Sequence, residues 1–92
     1  MHKWTVLVIN SGLTGSSRAV MLALAGIADR GGSVDGSVAV MRETIASRAG
    51  VGLRTAQNRL GQLVNAGYLE RRLQGAAPPI YTIRPQAFEV QG

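Results

Sequence analysis

The stretch Arg42-Glu43-Thr44-Ile45-Ala46-Ser47-Arg48-Ala49-Gly50-Val51-Gly52-Leu53-Arg54-Thr55-Ala56-Gln57-Asn58-Arg59-Leu60-Gly61-Gln62-Leu63-Val64-Asn65-Ala66-Gly67 decides how this chain is read. Its first part, Arg42 to Ala49, predicts a short helix with Ile45, Ala46 and Ala49 on one face. Gly50-Val51-Gly52 breaks that helix. Gly50 supplies the positive φ of a tight turn between helices, Val51 plugs the angle between them, and Ala46 is small enough for the two axes to approach. A longer helix follows from Leu53 to Asn65, with Ala56, Leu60, Leu63 and Val64 recurring on its inner face, and Gly67 ends it as a C′ glycine.

Upstream, Thr14 caps a helix from Gly15 to Arg30, in which Val20, Ala23, Leu24, Ile27 and Ala28 recur at three and four residues until Gly31-Gly32 stops it. Val34 to Val40 reads as a loop around the turn dipeptide Asp35-Gly36, with room for a small strand at Val38-Ala39-Val40. Trp4 to Ile9, rich in aromatic and β-branched residues and closed by Asn10-Ser11-Gly12, predicts a short strand that is apolar on both faces. Downstream, Tyr68 to Leu73 and Ile80 to Ile83 predict a β-hairpin, with Gln74 to Pro79 as its loop because prolines and glycine there forbid a helix. From Pro85 on the chain reads as a tail with Phe88 as its anchor. The expected organisation is therefore an N-terminal strand and turn over 1–12, an α+β domain of three helices and a C-terminal hairpin over 13–84, and a tail over 85–92.

Composition narrows the function. At 92 residues the chain is one domain, and it contains no cysteine, which removes disulfides, thiolate metal sites and cysteine nucleophiles together. The five carboxylates, Asp29, Asp35, Glu43, Glu70 and Glu89, are spread too thinly in sequence to pair as acid and base or to hold a cation. Gly12 and Gly15 are not followed by the Gly-Lys-Ser/Thr of a phosphate loop. His2 sits beside a terminus with no second ligand near it. The expectation is a chain that is not an enzyme and takes no cofactor, metal or small-molecule ligand. Lys3 precedes an apolar run too short for a signal peptide, and no membrane-length segment follows, so the sequence reads as a cytoplasmic protein with no membrane partner.

Charge is clustered. Of the formal net charge of +5, residues 1–41 supply +1 and the tail −1. The stretch from Arg42 to Arg84 sets seven arginines against Glu43 and Glu70. Arginine's planar fork matches phosphate oxygens and guanine edges, although an exposed arginine can equally be a solvated residue or a partner for one of those two glutamates.

At this point the residues resemble a known pattern. Ile45-Ala46, three residues, Gly50-Val51, then Thr55, Leu60, Leu63 and Gly67-Tyr68-Leu69 is similar to the signature of winged helix-turn-helix DNA-binding domains. With Leu13-Thr14, Arg18 to Ala25 and Tyr81-Thr82-Ile83 included, the resemblance is to such domains in phage and plasmid replication or regulatory proteins of actinobacteria. It implies a winged helix-turn-helix fold and sequence-selective binding of double-stranded DNA by a transcription or replication regulator. Three positions depart from the pattern. Gly52 stands where a capping hydroxyl is usual, Met41 replaces the hydroxyl cap of the preceding helix, and the hairpin loop carries no basic residue. These departures keep a second class open: a protein-interaction module on the same fold, such as a phage-encoded inhibitor of a host factor.

Helical geometry selects the face that would read DNA. With about 100° per residue, the face opposite Ala56, Leu60, Leu63 and Val64 carries Arg54, Thr55, Asn58, Gly61, Gln62 and Asn65. Arg54 and Asn58, one turn apart near the helix start, suit guanine and adenine edges, with Thr55 and Gln62 the next candidates for base readout. Gln57 and Arg59 on the flanks, Arg42, Thr44 and Arg48 on the preceding helix, and Arg71 and Arg72 in the hairpin are the expected phosphate contacts. Arg71 shares a strand face with Leu69 and Leu73, so one of the two hairpin arginines is expected to point at DNA. Two half-sites multiply affinity, which favours a homodimer. The N-terminal strand would either supply that contact through Trp4, Val6 and Val8 or cap the hairpin of its own chain.

Overall fold

A computed structural model describes residues 2–89. In chain order the elements are α1 (Lys3–Ile9), α2 (Gly15–Arg30), β1 (Ser37–Ala39), α3 (Arg42–Ala49), α4 (Leu53–Asn65), β2 (Leu69–Gln74), β3 (Ala77–Ile83) and α5 (Pro85–Glu89). The result is a small α+β domain with a three-stranded antiparallel sheet ordered β1-β3-β2. No helix among the described residues is long and apolar enough to cross a membrane.

The three central helices fall where the periodicity predicts. In α2, Val20, Met21, Leu24 and Ala28 are buried, and in α4 Ala56, Leu60 and Leu63 face inward. Gly50 takes the left-handed conformation at the end of α3, with φ 72°, and the Val51 amide donates back to the Ala46 carbonyl at 3.1 Å. Val51 packs against the core, as a plug between α3 and α4 must. Thr14, Met41 and Gly52 occupy the N-cap positions of α2, α3 and α4, and none of them makes a side-chain capping bond.

The N-terminal run is a helix, which corrects the predicted strand. Residues Trp4 and Val8, one turn apart, are fully buried, whereas Val6 and Ile9 are about half exposed, a helical spacing rather than alternation. The cause lies 25 residues away. Asp29, in the last turn of α2, accepts the Trp4 and Thr5 amides at 2.9 Å each and the Thr5 hydroxyl at 2.7 Å, so it serves the free amides of α1 as a cap from another helix. Helix propensity disfavours Thr, Val and Ile by a few tenths of a kcal/mol each, whereas burying Trp4 and Val8 contributes roughly 1.5 to 3 kcal/mol apiece. The Trp4 indole N–H donates to the Ser33 carbonyl at 2.9 Å, fixing the ring over the β1 approach. There Gly36, with φ +80°, lets the backbone pass beneath that ring.

The hairpin is tighter than its prolines suggest. The predicted loop Gln74 to Pro79 shrinks to Gly75-Ala76, and Pro78 and Pro79 lie within β3, the central strand. A shift of register between the pairs Arg72↔Ile80 and Gln74↔Ala77 interrupts the β2–β3 ladder at Pro78, while Pro79 faces the other side, just beyond the last β1 pair Ala39↔Ile80. Their carbonyls remain in use: Pro78 accepts the Gln74 side chain at 2.8 Å and Pro79 accepts the Val40 amide at 3.1 Å.

Residues from Pro85 to Glu89 form α5 rather than a trailing segment, and 90–92 lie outside the described residues. Phe88 is buried at 7% exposure and meets the Tyr68 ring at 5.1 Å between centroids. Trp4 and Val8 at one end and Phe88 at the other join α2, α3, α4 and the sheet in one hydrophobic core. The flanks 1–12 and 85–92 are thus parts of the same packed unit wherever they are described.

Candidate nucleic-acid interface

The inner face of α4 is consumed by the core, which fixes the rotation of the helix and turns the opposite face to solvent. Arg54, Asn58, Gln62 and Asn65 are exposed and Thr55 is partly so. Thr55, Gln57, Asn58, Arg59, Gly61, Gln62 and Asn65 line one open concavity of about 530 Å³ along this face. Three of the four residues expected to read bases therefore share a single polar surface. Arg54 is exposed one turn before Asn58 but does not line the concavity. α4 contains no carboxylate, so nothing on it repels a polyanion.

Around α4 the expected phosphate contacts form separate groups. Thr44 and Arg48, one turn apart on α3, line an open surface with Glu43 and Ser47. Arg42 and Arg71 line a groove of about 360 Å³ between the start of α3 and the hairpin, with Met41, Leu73 and Tyr81. Arg72 is exposed too. Alternation from Leu69 does not bury Arg71: β2 is exposed from Glu70 onward, although Tyr81, the partner of Arg71 on β3, is fully buried. Both hairpin arginines are exposed, on opposite faces of the strand.

Glu70 does not neutralise either of them. It pairs with Arg84, the one ion pair among the described residues, and Glu43 forms none. Arg42, Arg48, Arg54, Arg71 and Arg72 thus have no carboxylate partner among the described residues. Arg59 differs from the rest. It is partly buried, its Nε donates to Ser16 Oγ in the first turn of α2 at 2.6 Å, and its Nη1 donates to Gln62 Oε1 at 2.8 Å. Sequence reasoning had no means of finding this, since Ser16 lies 43 residues away.

The expected dimer contact fails on burial. Trp4 is 2% exposed and Val8 0%, both inside their own chain's core, and of the three residues named for that role only Val6 reaches solvent. Asp29 and Asp35 both have lowered pKa values. For Asp29, burial pushes the carboxyl up, and this is outweighed by the hydrogen bonds from the Thr5 hydroxyl and the Trp4 and Thr5 amides and by the charge of His2. For Asp35 the Ser37 amide is the leading cause. Both serve turns and caps and lie outside the α4 surface. Compared with known proteins, the chain matches no family model, no curated protein and no solved structure.

Proposed function

We propose that the chain is a winged helix-turn-helix domain that binds double-stranded DNA, with α3 and α4 as the helix-turn-helix, α4 in the major groove and the β2–β3 hairpin as the wing. The observation that carries this reading is the exposed α4 face: a stripe of Thr55, Asn58 and Gln62 preceded by Arg54 and free of acid, with Arg42, Arg48, Arg71 and Arg72 on the neighbouring elements also without carboxylate partners among the described residues. On this reading Arg54 joins Thr55, Asn58 and Gln62 at the base edges, while Arg42, Arg48, Arg71 and Arg72 hold phosphates. Glycine at the N-cap of α4 leaves its first amides free for a phosphate oxygen. The wing would engage the backbone through Arg71 and Arg72 on its strand, since its Gly75-Ala76 tip carries no charge. A role in regulating transcription or replication, in a phage, plasmid or bacterial setting, goes with this proposal.

Titration of random-sequence duplex at two salt concentrations tests it. With five arginines engaged, log K against log salt should fall with a slope of about −5. Arg54→Ala with Asn58→Ala should abolish sequence preference. Absence of binding at about 50 mM salt, or binding indifferent to that double substitution, would sink the reading in favour of a protein-interaction module.

A further inference from the structure

The bond between Arg59 and Gln62 has a consequence for which base α4 would read. A guanidinium carries donors only, so the Gln62 amide must turn its oxygen toward Arg59 and its NH₂ away from it. Arg59 is not free to swing aside, because Ser16 at the start of α2 holds its Nε at 2.6 Å. The spacing of three residues makes the two side chains neighbours on the helix surface, and both line the concavity of the exposed face. An unrestrained glutamine reads adenine by accepting from N6 and donating to N7. At Gln62 the accepting oxygen is turned toward Arg59 and spends one of its two lone pairs there. What the pair presents away from that bond is the Nε2 donor pair beside the unused N–H groups of a cation.

We infer that Gln62 and Arg59 act as one reading unit that presents its donors and so selects guanine, whose N7 and O6 are both acceptors, and that Arg59 is the residue setting this choice. The inference rests on the DNA-binding reading of α4. Adenine is disfavoured because its N6 amino group would meet a donor and a positive charge, while the Gln62 oxygen is held toward Arg59. Ser16, which touches no base, acts as a positioning residue through Arg59.

Selection of bound sequences from random duplex DNA tests this with the whole chain. Gln62→Ala identifies the base position that depends on this side chain, as the one where preference is lost. At that position the wild-type chain should enrich guanine, and Arg59→Met, which keeps the aliphatic stem and removes the donors, should shift the guanine-to-adenine ratio toward adenine by about fivefold or more. Ser16→Ala, a milder change, should move the ratio the same way by less, with circular dichroism confirming that each variant is folded. Enrichment of adenine by the wild type, or a ratio unchanged in a folded Arg59→Met, would overturn the inference while leaving DNA binding by α4 intact. No enriched sequence from the wild type would overturn both.

Discussion

Asp29→Ala is the substitution that most directly tests why the chain begins with a helix. The carboxylate accepts three hydrogen bonds from α1, at 2.9, 2.9 and 2.7 Å, and its loss leaves two amides and a hydroxyl in a partly buried place without their acceptor. An N-cap is worth about 0.5 to 2 kcal/mol, and hydrogen bonds to a charged group about 1.5 to 3 kcal/mol each. Water can reach part of this site, so the second figure cannot be summed over three bonds, and we expect a loss of about 2 kcal/mol. Asp29→Asn, which keeps an accepting oxygen but no charge, should lose about half as much. The dependence on pH has a fixed sign. The folded pKa of Asp29 lies below its ordinary value, so between the two the unfolded chain binds more protons than the folded one. The contribution is therefore fully present above about pH 5 and fades as pH falls through the lowered folded value. The stability gap between wild type and Asp29→Ala should narrow from pH 7 to pH 2. Urea unfolding followed by fluorescence of Trp4, the only tryptophan, measures it at the affected helix. A cost under about 0.5 kcal/mol at pH 7, or the same cost at pH 7 and pH 2, would refute the assignment of Asp29 as the cap of α1.

Two further substitutions probe the core. A Cβ added at Gly36 would lie 2.9 Å from Trp4 Cη2 and 3.0 Å from the Ile83 carbonyl oxygen at φ +80°, so Gly36→Ala should cost about 3 kcal/mol in thermal or urea unfolding, and a cost below about 1 kcal/mol would count against the close packing of Trp4 on this turn. The Tyr81 hydroxyl is buried with no hydrogen-bond partner among the described residues, so Tyr81→Phe should be neutral or stabilising by up to about 1 kcal/mol; a loss beyond about 0.5 kcal/mol would mean that the hydroxyl is satisfied.

The contrast between α4 and α1 shows where sequence reasoning succeeds and why it stops. The limits of α4 and its inner face follow from one local period, because Ala56, Leu60 and Leu63 repeat at intervals that only a helix turns to one side. Its solvent face, and hence most of the candidate site, is legible for the same reason. Trp4 to Ile9 has no such signature: a run apolar at almost every position satisfies a strand or a helix equally, and β propensity tips the reading the wrong way. The choice was made by Asp29 and by the pocket that receives Trp4 and Val8, neither of which is local. Phe88 likewise becomes part of the core only because Tyr68 is brought beside it.

What the sequence determined by itself is what repeats within one element or is forced at one residue: the helices α2, α3 and α4, the left-handed turn at Gly50, the hairpin and the arginine surplus between Arg42 and Arg84. The tertiary structure alone decided what depends on residues far apart in the chain. It made α1 a helix and so withdrew Trp4 and Val8 from any partner, left Arg71 exposed beside the buried Tyr81, and tied Arg59 to Ser16 and Gln62. The physical reason is the same in each case: periodicity states which face of an element is apolar, but burial and hydrogen bonding are settled by which surface arrives opposite it.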